Sequence, residues 1–277
     1  MSKKQDSSGK RKSAAIIAAS AFVLLALLYS AARCLYARKP MEFTFDAAYY
    51  WTKEKTPGAK WDFEKLSTGH CYYLYLPPQW KNDRDNESAK IPLIVVFHGS
   101  DEKGMSLYKY GPQFVTEEFQ RRIHPNGAAV LVILSRINYF TDPHSESLLI
   151  QNIVLKNKCI DPTNIIGYGF SQGAKYVVEL ACSEPRLFRA VISGSGFYHI
   201  SARELLSVLP VCFYSAVSED DMGIFEQGRV VEKLCARWCK NSRYVQHKTR
   251  HHFWVELNDP TGRPGETVMD WLTEITK

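Results

Sequence analysis

The stretch Asn164-Ile-Ile-Gly-Tyr-Gly-Phe-Ser-Gln-Gly-Ala174 decides how this chain is read. Ile165, Ile166 and Tyr168 make a short β-rich run. Gly169-Phe170-Ser171-Gln172-Gly173 follows, and a helical segment from Lys175 to Cys182 comes next. A strand, a very tight turn bearing one serine and then a helix is the layout of a nucleophile elbow, G-x-S-x-G. The glycines have a steric job. Side chains at those positions would collide with the neighbouring strand and helix, and the serine takes strained backbone angles. The turn lifts the Ser171 hydroxyl clear of the sheet edge. It also aims the free N–H groups of the following helix at the place where an oxyanion would form. A bare G-x-S-x-G arises often by chance, so a working elbow requires its partner residues further along the chain in the right order.

Outward from the elbow, the chain alternates strands and helices. Ile91–Phe97 and Ala128–Leu134 are apolar runs typical of strands buried on both faces of a parallel sheet. His70–Leu76, Phe188–Gly194, Leu209–Ser215 and Arg243–Lys248 read as further strands. Helical patterns cover about 105–122, Ser145–Asn157, Phe225–Lys240 and Gly265–Ile275. Lys81–Lys90 is strongly polar and reads as a hairpin or surface loop. The alternation predicts an α/β fold: a mostly parallel sheet covered on both faces, with reactive groups at the carboxyl ends of the strands.

Those ends supply candidates. His98-Gly99-Ser100 closes one strand. The N–H of Ser100 or Asp101, with that of Gln172, would form an oxyanion hole. His98 itself reads as a core histidine bonded to backbone. After the strand ending at Ser215, the loop Ala216–Met222 holds Glu219, Asp220 and Asp221. Its spacing to the next helix favours Asp220 as the acid that orients a histidine, with Asp221 as the alternative. Arg250-His251-His252-Phe253-Trp254 follows the last strand. His251, in an H-x-F pattern, is preferred as general base over His252. The order is then Ser171, Asp220, His251.

From about Tyr73 to the C-terminus the chain resembles the α/β-hydrolases, in the branch of phospholipase/carboxylesterases and polyhydroxybutyrate-depolymerase-like esterases. The residues that carry the likeness are Phe97-His98-Gly99, Ile160-Asp161-Pro162, the elbow, Ile192-Ser193-Gly194, Asp220 with Glu226-Gln227-Gly228, and His251. Gly-Phe-Ser-Gln-Gly is also the elbow of acyl-protein thioesterases. One departure is Ser215-Ala216, where the family often has His-Gly. The resemblance implies hydrolysis of a small-molecule or polymer-borne carboxylic ester through a Ser-His-Asp triad and an acyl-enzyme, with no metal or organic cofactor. Thioesterase or peptidase activity would use the same triad, and a non-catalytic hydrolase-fold binding protein is the reading from a different class. Few residues separate Gly196 from Leu209, so no large cap is expected. Tyr139, Phe140 and Phe197 are candidates to line the site.

The first residues differ in character. Residues 1–40 hold eight Lys/Arg against Asp6 alone, a net of +7, whereas the whole chain carries +6. The remainder is therefore near neutral and gives no reason to invoke nucleic acid. Residues 14–32 contain no charge. As a helix they would span about 28 Å, close to a bilayer core. The denser basic cluster precedes them, which places the N-terminus in the cytoplasm and the rest outside or in a lumen. An uncleaved signal anchor is favoured over a signal peptide cut after Ser30-Ala31-Ala32, which would give a secreted protein. The expected organisation is a basic tail at 1–13, the span at 14–32, a connector at 33–65 and the hydrolase domain at 66–277. Seven scattered cysteines make neither a dense disulfide framework nor a metal pattern. Asn86-Glu87-Ser88 matches a glycosylation acceptor.

Overall fold

Strand β3 (Ile91–Phe97) is buried at all seven positions and lies inside an eight-stranded sheet. The computed structural model describes residues 61–67, 69–88, 90–100, 111–137, 139–196, 198–218, 238–247 and 267–276, with Ser20, Val23, Leu24 and Ala26. The chain divides into two units, Met1–Thr44 and Phe45–Lys277. In the first, the four described residues are helical and exposed. Most of the span expected at 14–32 lies outside the described residues, and among those described no helix is long and apolar enough to cross a membrane.

In the second unit the strands are β1 (Asp62–Lys65), β2 (Cys71–Tyr75), β3, β4 (Ala129–Leu134), β5 (Ile160–Phe170), β6 (Ala190–Gly194), β7 (Cys212–Ser218) and β8 (Arg243–His247). The helices are α1 (Pro78–Lys81), α2 (Glu117–Ile123), α3 (Pro143–Lys156), α4 (Gln172–Ser183), α5 (Ala202–Val208) and α6 (Val268–Thr276). The sheet order is β1-β2-β4-β3-β5-β6-β7-β8. β2 runs antiparallel to both its neighbours, and every pairing from β4 to β8 is parallel. This is the mostly parallel sheet that the alternation of elements predicted.

Period-two alternation in the central strands feeds two separate cores. Leu93, Val95 and Phe97 of β3 join Leu131 and Ile133 of β4 on one face, under Ile150 and Ile153 of α3 and Tyr176, Val177 and Leu180 of α4. Ile94 and Val96 join Val130, Val132, Ile166 and Tyr168 on the other, under Phe119 of α2 and Met269, Trp271 and Leu272 of α6. Because residues of β3 feed both layers, its apolar run shows no polar alternation.

Several boundaries differ from the expectation. β1 falls in the stretch read as connector, so the sheet begins before residue 66. Its three charged residues and half-exposed Phe63 give no apolar run, yet its backbone pairs with Cys71–Leu74 of β2. Asp62 there accepts from Lys81 Nζ at 2.9 Å and Arg84 Nη2 at 2.6 Å, and Glu64 accepts from the Tyr72 hydroxyl. β7 runs to Ser218 and does not stop at Ser215, because Ala216, Val217 and Ser218 pair with Val245, Gln246 and His247 of β8. Between β6 and β7 lies α5, a helix the sequence reading omitted. Ser201 Oγ accepts from Glu204 N–H, while the Glu204 carboxylate accepts from Ser201 N–H, a complete capping box. The described part of the helix expected at 105–122 is α2, and 225–237 of the expected Phe225–Lys240 helix lie outside the described residues.

The last helix is fixed by Trp271. Its side chain is fully buried, Nε1 donates to the Asn241 carbonyl at 2.7 Å, and its ring centroid lies 5.4 Å from that of Tyr214. Trp271→Ala is expected to destabilise the fold by about 3–5 kcal/mol. Trp271→Phe should keep most of the packing and lose about 1 kcal/mol for the hydrogen bond. Urea melts followed by far-UV circular dichroism decide this, and equal losses in the two variants would refute it.

Candidate active site

β5 ends at Phe170 and α4 begins at Gln172, so Ser171 alone makes the turn. Its backbone sits at φ 52° and ψ −115°, a strained region for any residue with a Cβ. Three contacts show why the turn must be built this way. A Cβ on Gly169 would come within 2.2 Å of the Gly173 carbonyl oxygen. One on Gly173 would come within 2.3 Å of the Phe97 oxygen and 2.5 Å of the His98 oxygen. One on Gly196 would meet the Ser171 oxygen at 2.5 Å. The head of α4 therefore lies directly against the ends of β3 and β5.

The turn is tied to its neighbours by backbone. Ser171 N–H donates to the Gly194 carbonyl at 2.8 Å, and Ser195 N–H donates to the Ala216 carbonyl at 2.7 Å. Ser195 also has positive φ, 53°. Successive strand ends are thus linked from β5 to β6 to β7. Ser171 itself is half-buried, within reach of solvent. Gln172, the first helical residue, has its N–H at the positive end of the α4 dipole.

At the end of β3, His98 is fully buried. Its Nε2 accepts from Ser135 N–H at 3.2 Å, so the proton sits on Nδ1, which donates to the Gly99 carbonyl at 2.7 Å. Both ring nitrogens face backbone, the role expected of it. Ser100 follows in a half-buried turn. Phe140 is buried core: its ring lies 4.6 Å from His98, 5.2 Å from Phe97 and 5.1 Å from Tyr176, centroid to centroid. Tyr139 is half-buried. Asp101, Phe197, Glu219, Asp220, Asp221, His251 and His252 lie outside the described residues. Among the described residues, no group of three His, Cys, Asp or Glu side chains is placed to hold a metal ion.

Two features near the elbow were not read from the sequence. The Gln172 carboxamide bridges the backbone of Phe140, donating from Nε2 to its carbonyl at 3.1 Å and accepting at Oε1 from its N–H at 3.5 Å. Beneath it, the Tyr176 hydroxyl donates to Glu146 Oε2 at 2.8 Å, with both side chains buried. The available signal was Glu146 itself, an acid on the same α3 face as Leu149, Ile150 and Ile153. Burial pushes the Glu146 carboxyl up to about 7, against the opposing effect of the Tyr176 hydrogen bond; Asp142 adds to the rise and Arg136 reduces it. Burial, and then the Glu146 charge, raise the Tyr176 hydroxyl well above the ordinary phenol range, so it stays a donor. His70 Nε2 lies 3.7 Å from Glu146 Oε1. Burial, reinforced by Arg136 and opposed by Asp142, lowers the His70 pKa, so both partners of this contact are pushed toward their neutral forms.

Two outcomes follow from this packing. Gly173→Ala forces its Cβ against backbone oxygens that cannot rotate away, and should cost about 1–3 kcal/mol. A thermal melt unchanged from wild type would contradict the close approach of α4 to β3. The raised Glu146 pKa means that the folded state holds a proton the unfolded chain has already released. Stability is therefore lost as pH rises from about 4.5 to about 7. Glu146→Gln should remove that loss, shifting in its favour relative to wild type by up to about 3 kcal/mol between pH 4.5 and 8. Urea titrations across this range that show a constant difference would refute it.

No protein-family model and no curated protein matches the chain. Solved structures do. A thermostable esterase is 18% identical over 79% of this chain and 60% of its own, with a TM-score of 0.56, so the chain spans about three-fifths of that protein's length. A ferulic acid esterase is 13% identical over 78% of this chain and 98% of its own, with a TM-score of 0.58. A fluorophosphonate-binding serine hydrolase of Staphylococcus aureus is 9% identical over 79% of this chain and 98% of its own, with a TM-score of 0.54. At such identities the likeness is one of fold, and it agrees with the strand order and the strained turn: the chain has the α/β-hydrolase fold.

Proposed function

We propose that this chain is a serine hydrolase that cleaves carboxylic esters, with Ser171 as nucleophile, His251 as general base and Asp220 orienting the imidazole. The observation that carries the reading is the backbone of Ser171, forced to φ 52° where β5 meets α4. Strain of this kind persists only where surrounding contacts enforce it, and here it presents a hydroxyl at the head of a helix. The names of the esterases and serine hydrolases that share the fold point the same way.

Strand register supports the two distant partners. Ser218 and His247 are paired and end β7 and β8 on the sheet edge that carries Ser171. Asp220 follows two residues after the first and His251 four after the second. β8 is three strands from β5, about 14 Å. Four extended residues reach about 13 Å, and an imidazole side chain makes up the rest. Asp220 starts one strand nearer, where it would stand behind the histidine.

Ser171 would attack the ester carbonyl as His251 takes its proton. Asp220 would hold the imidazole in the productive tautomer and stabilise its cation. The N–H groups of Gln172 and of Ser100 or Asp101 would bind the tetrahedral oxyanion, and water would then release the acyl group. Among the described residues the connection between β6 and β7 holds only α5 and has no room for a large cap, which favours access for a small or polymer-borne ester. The reading places residues 14–32 in a membrane as a signal anchor, with the catalytic domain on the extracytoplasmic side, on the strength of their length, lack of charge and basic flanks.

A fluorophosphonate probe should label wild type but not Ser171→Ala, and Ser171→Ala should lose roughly 10³-fold or more of p-nitrophenyl ester turnover while keeping its fold. His251→Ala should abolish turnover where His252→Ala does not. Equal labelling of wild type and Ser171→Ala would overturn the assignment.

A further inference from the structure

Helix α3 turns one uncharged stripe of side chains to solvent. Leu148 and Leu155 are 52% and 76% exposed and stand seven positions apart, hence on one face, with exposed Gln151 and Asn152 between them. Beside the stripe, on its α4 flank, lies a groove of about 500 Å³. Buried Val154, Ile165 and Leu187 line it together with exposed Leu155. Two charged residues, Glu184 and Arg186, line it as well. The Glu184 carboxylate reaches toward the start of α3, 3.5 Å from His144 Nδ1. The Arg186 side chain is exposed and has no ion pair or hydrogen bond among the described residues. On the other flank, Lys156 lies 3.8 Å from Glu64, and the following Lys158 lies 3.3 Å from Glu87. The patch thus holds protruding leucines and an apolar hollow, one acid and one unpaired base.

We propose that this face binds a second copy of the chain, α3 against α3, about a two-fold axis that passes between Gln151 and Asn152. Such an axis lies in the plane of contact, turns the helix end for end and sets each α4 flank against the other. Leu148 of one copy then meets Leu155 of the partner subunit beside the groove, and the contact occurs twice. Glu184, toward the Leu148 end, faces Arg186 of the partner subunit, so each unpaired guanidinium gains a carboxylate. A patch with both protrusion and hollow, and with both signs of charge, is its own complement, whereas an unlike partner would need only one of each. A membrane surface calls for an excess of cations, and both lysines here already face acids. A contact built on one helix about 21 Å long and the groove beside it belongs with the small, transient interfaces. Ile165 of the groove precedes Ser171 by six residues, about 20 Å along β5, and the pairing is independent of the ester-hydrolase reading.

The test uses the full-length chain in a mild non-ionic detergent. Residues at a two-fold axis meet their own copies, so Asn152→Cys should give a crosslinked dimer with a short bismaleimide, at least about tenfold above the wild-type background. Adding Leu155→Glu should remove that crosslink, because the new carboxylate would be buried against Leu148 of the partner subunit. Sedimentation velocity over about 1–100 µM should show wild type dimerising and Arg186→Glu weakening the dimer at least about tenfold. The double exchange of Glu184→Arg with Arg186→Glu restores opposite charges across the axis and should recover most of that loss. Circular dichroism checks folding, and if Leu155→Glu fails to fold, Leu148→Glu takes its place in both measurements. A wild type that stays monomeric over this range overturns the proposal, including one that binds lipid vesicles instead. A dimer that tolerates Leu155→Glu, or a crosslink that survives it, overturns it equally. A loss in Arg186→Glu that the double exchange does not reverse overturns the charge pairing. None of these readouts needs turnover, so they decide the pairing whether or not the chain hydrolyses esters.

Discussion

The contact on which this structure depends is the approach of the head of α4 to the carbonyl ends of β3. Only a residue without a side chain fits at Gly173, where the Phe97 and His98 oxygens leave no room for a Cβ. This closeness sets the turn radius and hence the positive φ of Ser171. Three things are thereby fixed together: the height of a hydroxyl above the sheet, the direction of the α4 dipole, and the position of the first free N–H groups of that helix. Hydrogen bonds from Ser171 to Gly194 and from Ser195 to Ala216 carry the same geometry across to β7. This edge of the sheet is thus a row of interlocked strand ends, each held by the next.

Much of this was legible in the chain, for physical reasons that vary by element. β3 and β4 announce themselves because burial on both faces leaves no polar position in seven and six residues. The elbow was legible because its steric demand admits glycine at fixed offsets from one serine. β1 was not, since it lies at an edge, where backbone pairing holds it and its side chains face solvent. The end of β7 was misplaced by three residues because Ala216-Val217-Ser218 is as compatible with a loop as with a strand, and only its partner β8 decides. α5 was missed although Ser201 and Glu204 spell a capping box, because few residues were thought to remain between β6 and β7.

The Gln172 bridge and the Glu146–Tyr176 pair were illegible for a different reason. Both join residues thirty or more positions apart through polar atoms, and no periodicity reports such contacts. Glu146 sits on the buried face of α3, where a local reading scores it as a flaw in the apolar stripe. Its partner explains it: the carboxyl satisfies a phenol that the aromatic cluster under the elbow has already forced into the interior. Here the polar group is accounted for by the ring it serves.

The charges along β1 bear on how this molecule behaves in a crowded solution. An outermost strand leaves half its amides and carbonyls open to any passing extended chain. In Asp62-Phe63-Glu64-Lys65, three of four side chains are ionic, and Lys81, Arg84 and Lys156 stand close by to hold the two acids in place. A second chain aligning there would have to displace those cations and strip the acids of water. Among the described residues, this border of the sheet is one where charge makes pairing with a further strand costly.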